Sequence, residues 1–192
     1  MRRTRIAEII SDITRLPLLA VPLFVVAGVA ADGWSGLIWA GLCLGLTSGL
    51  SLVYLFYLTR SGKVRDATKI PRSERVGPLR VVAGLHVGAF LIVTLLDAPV
   101  ELRAILLSYA ISTVGFAFLT PVSNISLHAA GVSGAAVCLT FVFGAWGIWT
   151  LLLVPLVVWS RIVLKRHTPL ELALGVLVGG GGTWMAFQIV GG

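Results

Sequence analysis

An all-α polytopic transmembrane bundle of about 6–7 spans, opened by a short N-terminal interfacial helix, is the fold class this sequence predicts. Three observations predict it. Hydrophobic residues make up 57% of the 192 positions and charged residues only 12%, with a mean hydropathy of +0.98. A soluble domain carries about 25% charge, and a chain this size still exposes much of its area when folded. The apolar residues fall into seven runs separated by short polar breaks. The 15 Lys and Arg, against 8 acidic residues, are also distributed very unevenly along the breaks. Together these exclude a soluble enzyme, a disordered chain and a nucleic-acid binder, and leave a single transmembrane domain spanning residues 1–192.

Residues 1–15, MRRTRIAEIISDITR, place Ile6, Ile9, Ile10 and Ile13 at helical spacing among charges, the pattern of an interfacial amphipathic helix. Glu8, Asp12 and Arg15 interrupt any apolar core that a cleavable signal peptide would need. The apolar runs follow at about 16–32, 36–58, 79–97, 102–121, 128–145, 147–160 and 170–190. The breaks around Asp32, Asp97 and Gly144 are short and nearly free of positive charge. By contrast, residues 60–80 form a basic loop and residues 160–167 a second basic segment. With these runs as spans, fourteen of the Lys and Arg fall on one side and only Arg103 on the other. Positive charge marks the cytoplasmic side, so the N-terminus is expected inside, and seven spans would leave the C-terminus outside. Cys43 and Cys138 lie in apolar runs and read as packing residues, not as a disulfide or metal pair. Gly175 and Gly179 form a GxxxG pair in a Gly-rich last helix. That face suits close packing within the chain first and a homo-oligomer second. Most of the six Trp fall near the ends of runs, as interfacial belts do. His86, inside a run, reads as a packed, hydrogen-bonded histidine.

Three polar clusters share the basic side: Gly62–Arg75, Pro121–His128 and Ser160–Glu171. Ionisable groups at a membrane boundary are costly unless they face a cavity or one another, which makes them functional candidates. Carboxylates are too few to hold magnesium for a metal-dependent phosphotransferase. Arginine and histidine predominate, which suits an anionic, oxygen-rich ligand held without metal or cofactor.

In the third cluster Ser160-Arg161, then His167, then Glu171 and Gly175 resemble the SRxxxxxHxxxD signature of the type-2 phosphatidic acid phosphatase superfamily. The segment ending in His128 is similar to that family's PSGH motif, and the first cluster to a variant built on K-x-x-D followed by a basic pair. The sequence departs from the pattern at three points. Glu171 stands where the family has Asp, Ile125-Ser126-Leu127 replace Pro-Ser-Gly, and Ile70 occupies the position seven residues after Lys63 where an arginine is usual. The resemblance implies a histidine nucleophile at His167, a carboxylate orienter at Glu171 and a general acid at His128. It also implies phosphate binding by Arg161, Ser126 and Lys63, with Arg72 or Arg75 in place of the missing arginine. His167 and Glu171 are four residues apart, on one face of a helix that begins near Pro169.

The implied activity is metal-independent hydrolysis of a lipid phosphate or diphosphate at the cytoplasmic surface through a phosphohistidine, with an isoprenoid substrate favoured and a glycerolipid second. A non-catalytic lipid-phosphate-binding membrane protein on the same scaffold is the alternative. A transporter would call for mid-span charges and inverted halves, and the sequence displays neither.

Overall fold

The computed structural model describes residues 2–64 and 71–191, leaving aside the side chains of residues 16, 17, 72 and 73. Every element among them is helical. The chain opens with α1 (Arg2–Ile13) and α2 (Leu16–Asp32). Next come α3 (Gly36–Leu44), a π-helical turn (Gly45–Gly49) and α4 (Leu50–Arg60). After them stand α5 (Arg72–Leu95), α6 (Val100–Leu119) and α7 (Leu127–Phe143). A 3-10 segment (Gly144–Leu152) leads into α8 (Leu153–Val163). The chain closes with α9 (Pro169–Val176), a second π-helical turn (Leu177–Gly181) and α10 (Gly182–Gly191).

Among the described residues, five stretches are long and apolar enough to cross a membrane: Gly36–Arg60, Glu74–Leu95, Val100–Leu119, Leu127–Val163 and Pro169–Gly191. A sixth is added if α1 and α2, bent by 51° between Ile13 and Leu18, are taken together. The 37-residue stretch Leu127–Val163 is not straight. Gly144 takes φ +59°, a left-handed value that glycine adopts without strain, and beyond it the chain folds back along α7. A side chain at Gly147 would overlap the backbone of Leu139 and Thr140. The Thr150 hydroxyl donates to the Ala136 carbonyl at 3.3 Å, and Val157 is buried with Val132.

Helix α6 lies at the centre. Leu102, Ile105 and Leu106 are fully buried and share a cluster with Phe24, Cys43 and Val93 from α2, α3 and α5. Small residues allow this closeness, because lipid supplies no hydrophobic drive between helices. A Cβ at Gly36 would overlap the Gly28 carbonyl, which locks α2 to α3, and one at Gly179 would overlap the Ala130 carbonyl, which locks the last helix to α7. The Gly175/Gly179 face is therefore used within the chain. The free thiols of Cys43 and Cys138 are buried packing groups.

One expectation changes. Arg60 ends α4, and Arg72, Arg75 and Arg80 already lie on α5. The basic loop expected over 60–80 thus shrinks to residues 61–71, of which 65–70 lie outside the described residues. Pro71 carries an extended backbone into the helix and Glu74 sits in its first turn, where the helix dipole favours a carboxylate. Charge density had concealed a helix start. Helix α1 lies within the expected N-terminal segment. Ala7, Ile10 and Ser11 are buried, while Ile6, Ile9 and Ile13 are 49–60% exposed. It packs Ala7, Ile10 and Ser11 on the bundle and turns the other three isoleucines outward.

Candidate functional site

One end of the bundle gathers the start of α7, the end of α8, the start of α9, the end of α1 and the first turns of α5. Helix α9 begins there because Thr168 and Glu171 form a capping box. The Thr168 amide donates to the Glu171 carboxylate at 2.8 Å, and the Glu171 amide donates to the Thr168 hydroxyl at 3.3 Å. Ser126 caps α7, its hydroxyl accepting from the Ala129 amide at 3.3 Å. Its own amide donates to the Glu171 carbonyl at 3.2 Å, and so ties the two helix starts together.

This frame holds His167 between α8 and α9 with its side chain 9% exposed. Its Nδ1 donates to the Asn124 carbonyl at 3.0 Å, while the Glu171 carboxylate stands farther off, at 3.6 Å from the same nitrogen. A proton committed to Nδ1 leaves a lone pair on Nε2. Burial, and next the Arg161 charge, hold the imidazole below its usual 6.5; the Asn124 carbonyl and Glu171 oppose them. The ring is accordingly neutral at pH 7.

Around it stand the other charged groups. Arg75, one turn into α5, donates to the Asn124 side-chain oxygen at 3.2 Å, so one asparagine joins the α5 cation to His167. Arg161, in the last turn of α8, donates from Nη1 to the Ser11 hydroxyl at 2.6 Å. Its Nε is buried without a hydrogen-bond partner, as is the Nε2 of His128 at the start of α7. His128 feels the charge of Arg161 and of His167, so the three belong to one electrostatic neighbourhood. Buried nitrogens without partners are uncommon and call for an explanation. Arg103 Nε, on α6, is a third such atom among the described residues.

Beneath this cluster, between α2, α4, α5, α6 and α7, lies an apolar cleft of about 350 Å³. Leu58, Leu79 and Leu127 line its cluster end; Ser51, His86 and Tyr109 line the bundle interior. Hydroxyls along it are turned into their own helices, as with Ser108 to Ile105 and Thr113 to Tyr109, each at 2.7 Å, so the walls present mainly carbon.

The residues singled out from the sequence thus separate. His167, His128, Arg161 and Glu171 come together, joined by Arg75. Glu171 does not provide the hydrogen bond that orients His167: its carboxylate is engaged by the Thr168 amide, and the Asn124 carbonyl takes that place. Ser126 is fully buried and engaged in capping. Lys63 is exposed, with its ammonium 5.4 Å from the centroid of the Tyr57 ring, and no described contact joins it to the histidines. The Arg72 side chain lies outside the described residues.

Sequence reasoning missed Ser11 and Asn124. No pattern signals either, since both act across distant segments. The capping box was legible, because Thr168-x-x-Glu171 ahead of an apolar run is its signature.

The fold and composition define the class: a polytopic α-helical protein fitted to a membrane. Comparison with known proteins finds no matching family model, no matching curated protein and no matching solved structure.

Proposed function

We propose that this chain is a membrane phosphatase that hydrolyses a lipid phosphate or diphosphate by way of a phosphohistidine. The observation that carries the reading is the state of His167. Its Nδ1 proton is committed to Asn124, its ring is neutral, and unpartnered nitrogens of Arg161 and His128 lie in the same buried neighbourhood. A neutral imidazole with a defined free nitrogen is a nucleophile. Fixed cations beside it stabilise the charge spread over phosphoryl oxygens.

In this mechanism Arg161 and Arg75 hold the phosphoryl oxygens and His167 Nε2 attacks phosphorus in line with the leaving oxygen. The P–N bond forms as the P–O bond breaks, and His128, protonated once the anionic phosphate is bound beside it, gives that proton to the departing oxygen. Water then attacks phosphorus, its proton passes to His128, and the P–N bond breaks to release phosphate and neutral His167. The imidazolium formed in the first step is stabilised by the Asn124 carbonyl, with the Glu171 carboxylate acting from 3.6 Å.

The same reading proposes seven membrane passages: α2, α3–α4, α5, α6, α7, the 3-10 segment with α8, and α9–α10. The active site and N-terminus are then cytoplasmic, because fourteen of fifteen cationic residues share that side. An isoprenoid phosphate or diphosphate is the first substrate to test and a glycerolipid phosphate the second.

The test is phosphate release by purified protein in detergent, with and without EDTA. Release that persists in EDTA and falls to background in His167→Ala is expected. A specific observation favours the second reading, a binding protein without catalysis: the family-position carboxylate caps a helix instead of bonding the histidine. Binding of a lipid phosphate with no release above background would establish that reading and overturn the first.

A further inference from the structure

At mid-span the apolar cleft carries a group of polar side chains. Ser48, His86 and Tyr109 all line it, and each stands within two residues of the middle of its membrane-spanning stretch. His86 on α5 is 6% exposed and joins three helices. Its Nδ1 lies 3.3 Å from the Thr113 hydroxyl on α6, and its Nε2 lies 3.4 Å from the Ser51 hydroxyl on α4. The Thr113 hydroxyl already donates to the Tyr109 carbonyl at 2.7 Å, so it accepts from Nδ1–H, and Nε2 accepts from Ser51. This Ser51–His86–Thr113 bridge is part of the cleft wall, and both imidazole nitrogens are used in it.

Two hydroxyls beside the bridge are free. Ser48 stands one turn before Ser51, and the Tyr109 ring meets His86 edge-on with centroids 5.4 Å apart. Neither hydroxyl has a hydrogen-bond partner among the described residues, whereas Ser108 and Thr113 commit theirs to their own helices. The Tyr54 hydroxyl is likewise free, but it stands about two turns nearer the end of α4. Both π-helical turns also reach the cleft. Ser48 belongs to the first, and Gly179, another lining residue, belongs to the second. Such turns are rare within helices and gather at functional sites, where they swing side chains out of α-helical register.

Among the described residues, no Asp, Glu, Lys or Arg lines the cleft. A charged group at mid-span would find no counter-charge there, and its burial would be costly. Leu52, on the α4 wall, is 51% exposed on a membrane-spanning helix, so the cleft opens toward the bilayer. A volume of about 350 Å³, enclosed by carbon with a few placed polar groups, is the make-up of a small-molecule site.

We propose that the cleft is a binding site, separate from the histidine cluster, for an uncharged lipid alcohol that enters from the bilayer and bonds its hydroxyl to Ser48 and Tyr109. The ligand class follows from the two free groups. Each is a donor and an acceptor, and an alcohol matches both by accepting from the Tyr109 phenol and donating to the Ser48 oxygen. A carbonyl only accepts, and a hydrocarbon satisfies neither. The apolar chain gains little on leaving lipid, because both surroundings are hydrocarbon. Selection therefore rests on the hydroxyl. The inference stands whether or not the cluster hydrolyses phosphate, although a lipid alcohol is the organic product that such hydrolysis leaves.

The experiment is photolabelling of the full chain in phosphatidylcholine nanodiscs by dodecanol that carries a mid-chain diazirine, read by peptide mapping. Label is expected on cleft-lining residues, with Leu55 on α4 and Phe116 on α6 as markers. Unlabelled dodecanol should remove it, while dodecane and dodecyl phosphate at the same lipid-phase concentration should not. Ser48→Ala and Tyr109→Phe should each weaken competition by dodecanol about fivefold, the effect of one hydrogen bond. Neither substitution removes a bond within the protein, so both variants should melt near wild type. Label confined to the outer surface of the bundle overturns the site. Competition by dodecane equal to that by dodecanol, or an affinity unchanged in either variant, overturns recognition of the hydroxyl. Equal competition by dodecyl phosphate overturns the uncharged ligand. None of these outcomes bears on phosphate release at His167, which the EDTA assay reads separately.

Discussion

Around His167, two neighbours that a sequence motif treats as one unit have separate tasks. Glu171 holds a helix start together, and a backbone carbonyl, Asn124 O, orients the ring. Glu171→Gln separates charge from capping, because glutamine serves equally at that capping position. We expect the melting temperature in detergent to stay near wild type while the acid limb of phosphate release moves to lower pH. The direction follows from the carboxylate's charge, which raises the His167 pKa and would be lost. In the wild type, release should fall with acidity through a pKa below 6.5, since burial and Arg161 favour the neutral ring. The same depression makes the unfolded chain bind more protons between the folded value and 6.5, so stability declines as pH falls through that window. A profile whose acid limb lies above 6.5 would remove His167 as the neutral nucleophile. Ser126→Ala offers a complementary check. Loss of the α7 cap should cost about 1 kcal/mol of stability, with KM little changed, whereas a direct phosphate contact would raise KM.

Elements are positioned by glycines, and the last helix demonstrates it. Gly179 faces the Ala130 carbonyl so closely that any side chain must push α7 away, whereas Gly181, two residues on, has nothing within 4 Å of its would-be Cβ. Gly179→Ala should therefore destabilise by more than about 2 kcal/mol. Gly181→Ala should change stability by less than about 1 kcal/mol, in the stabilising direction if it strengthens the helix. Thermal denaturation of the two variants in one detergent makes the comparison. The GxxxG spacing announced a packing face. It did not say that α7 would be the partner, because small-residue spacing specifies how closely two helices approach and not which two. The apolar runs at 128–145 and 147–160 were legible as separate segments, and the fold-back at Gly144 agrees with that division. The helical start at Arg72 was not legible, since a dense run of cations masks the apolar periodicity by which helices are read.

On the proposed seven-passage topology, the breaks near Trp34, Leu96 and Gly144 fall on one face and those near Ser61, Ser123 and Lys165 on the other. Single cysteines placed there in a Cys43→Ala, Cys138→Ala background should react with a membrane-impermeant thiol reagent from opposite sides of sealed vesicles. Labelling at 34 and 61 from the same side would disprove the proposed topology. The α1 helix is also part of the molecule's site in a way its amphipathic pattern conceals. Ser11 accepts from Arg161 across 150 positions of sequence, so the segment that reads as a surface anchor also walls the cluster.

The helical class and the apolar stretches long enough to cross a membrane were decided by composition and periodicity. These are properties that each stretch of chain carries into the bilayer before it meets any other stretch. The partners were decided only by packing. Asn124 on His167, Ser11 on Arg161 and the Ser51–His86–Thr113 bridge each join segments whose spacing along the chain carries no information about distance in space. Hydrogen bonds act over about 3 Å, and only the folded bundle brings such distant groups within that reach.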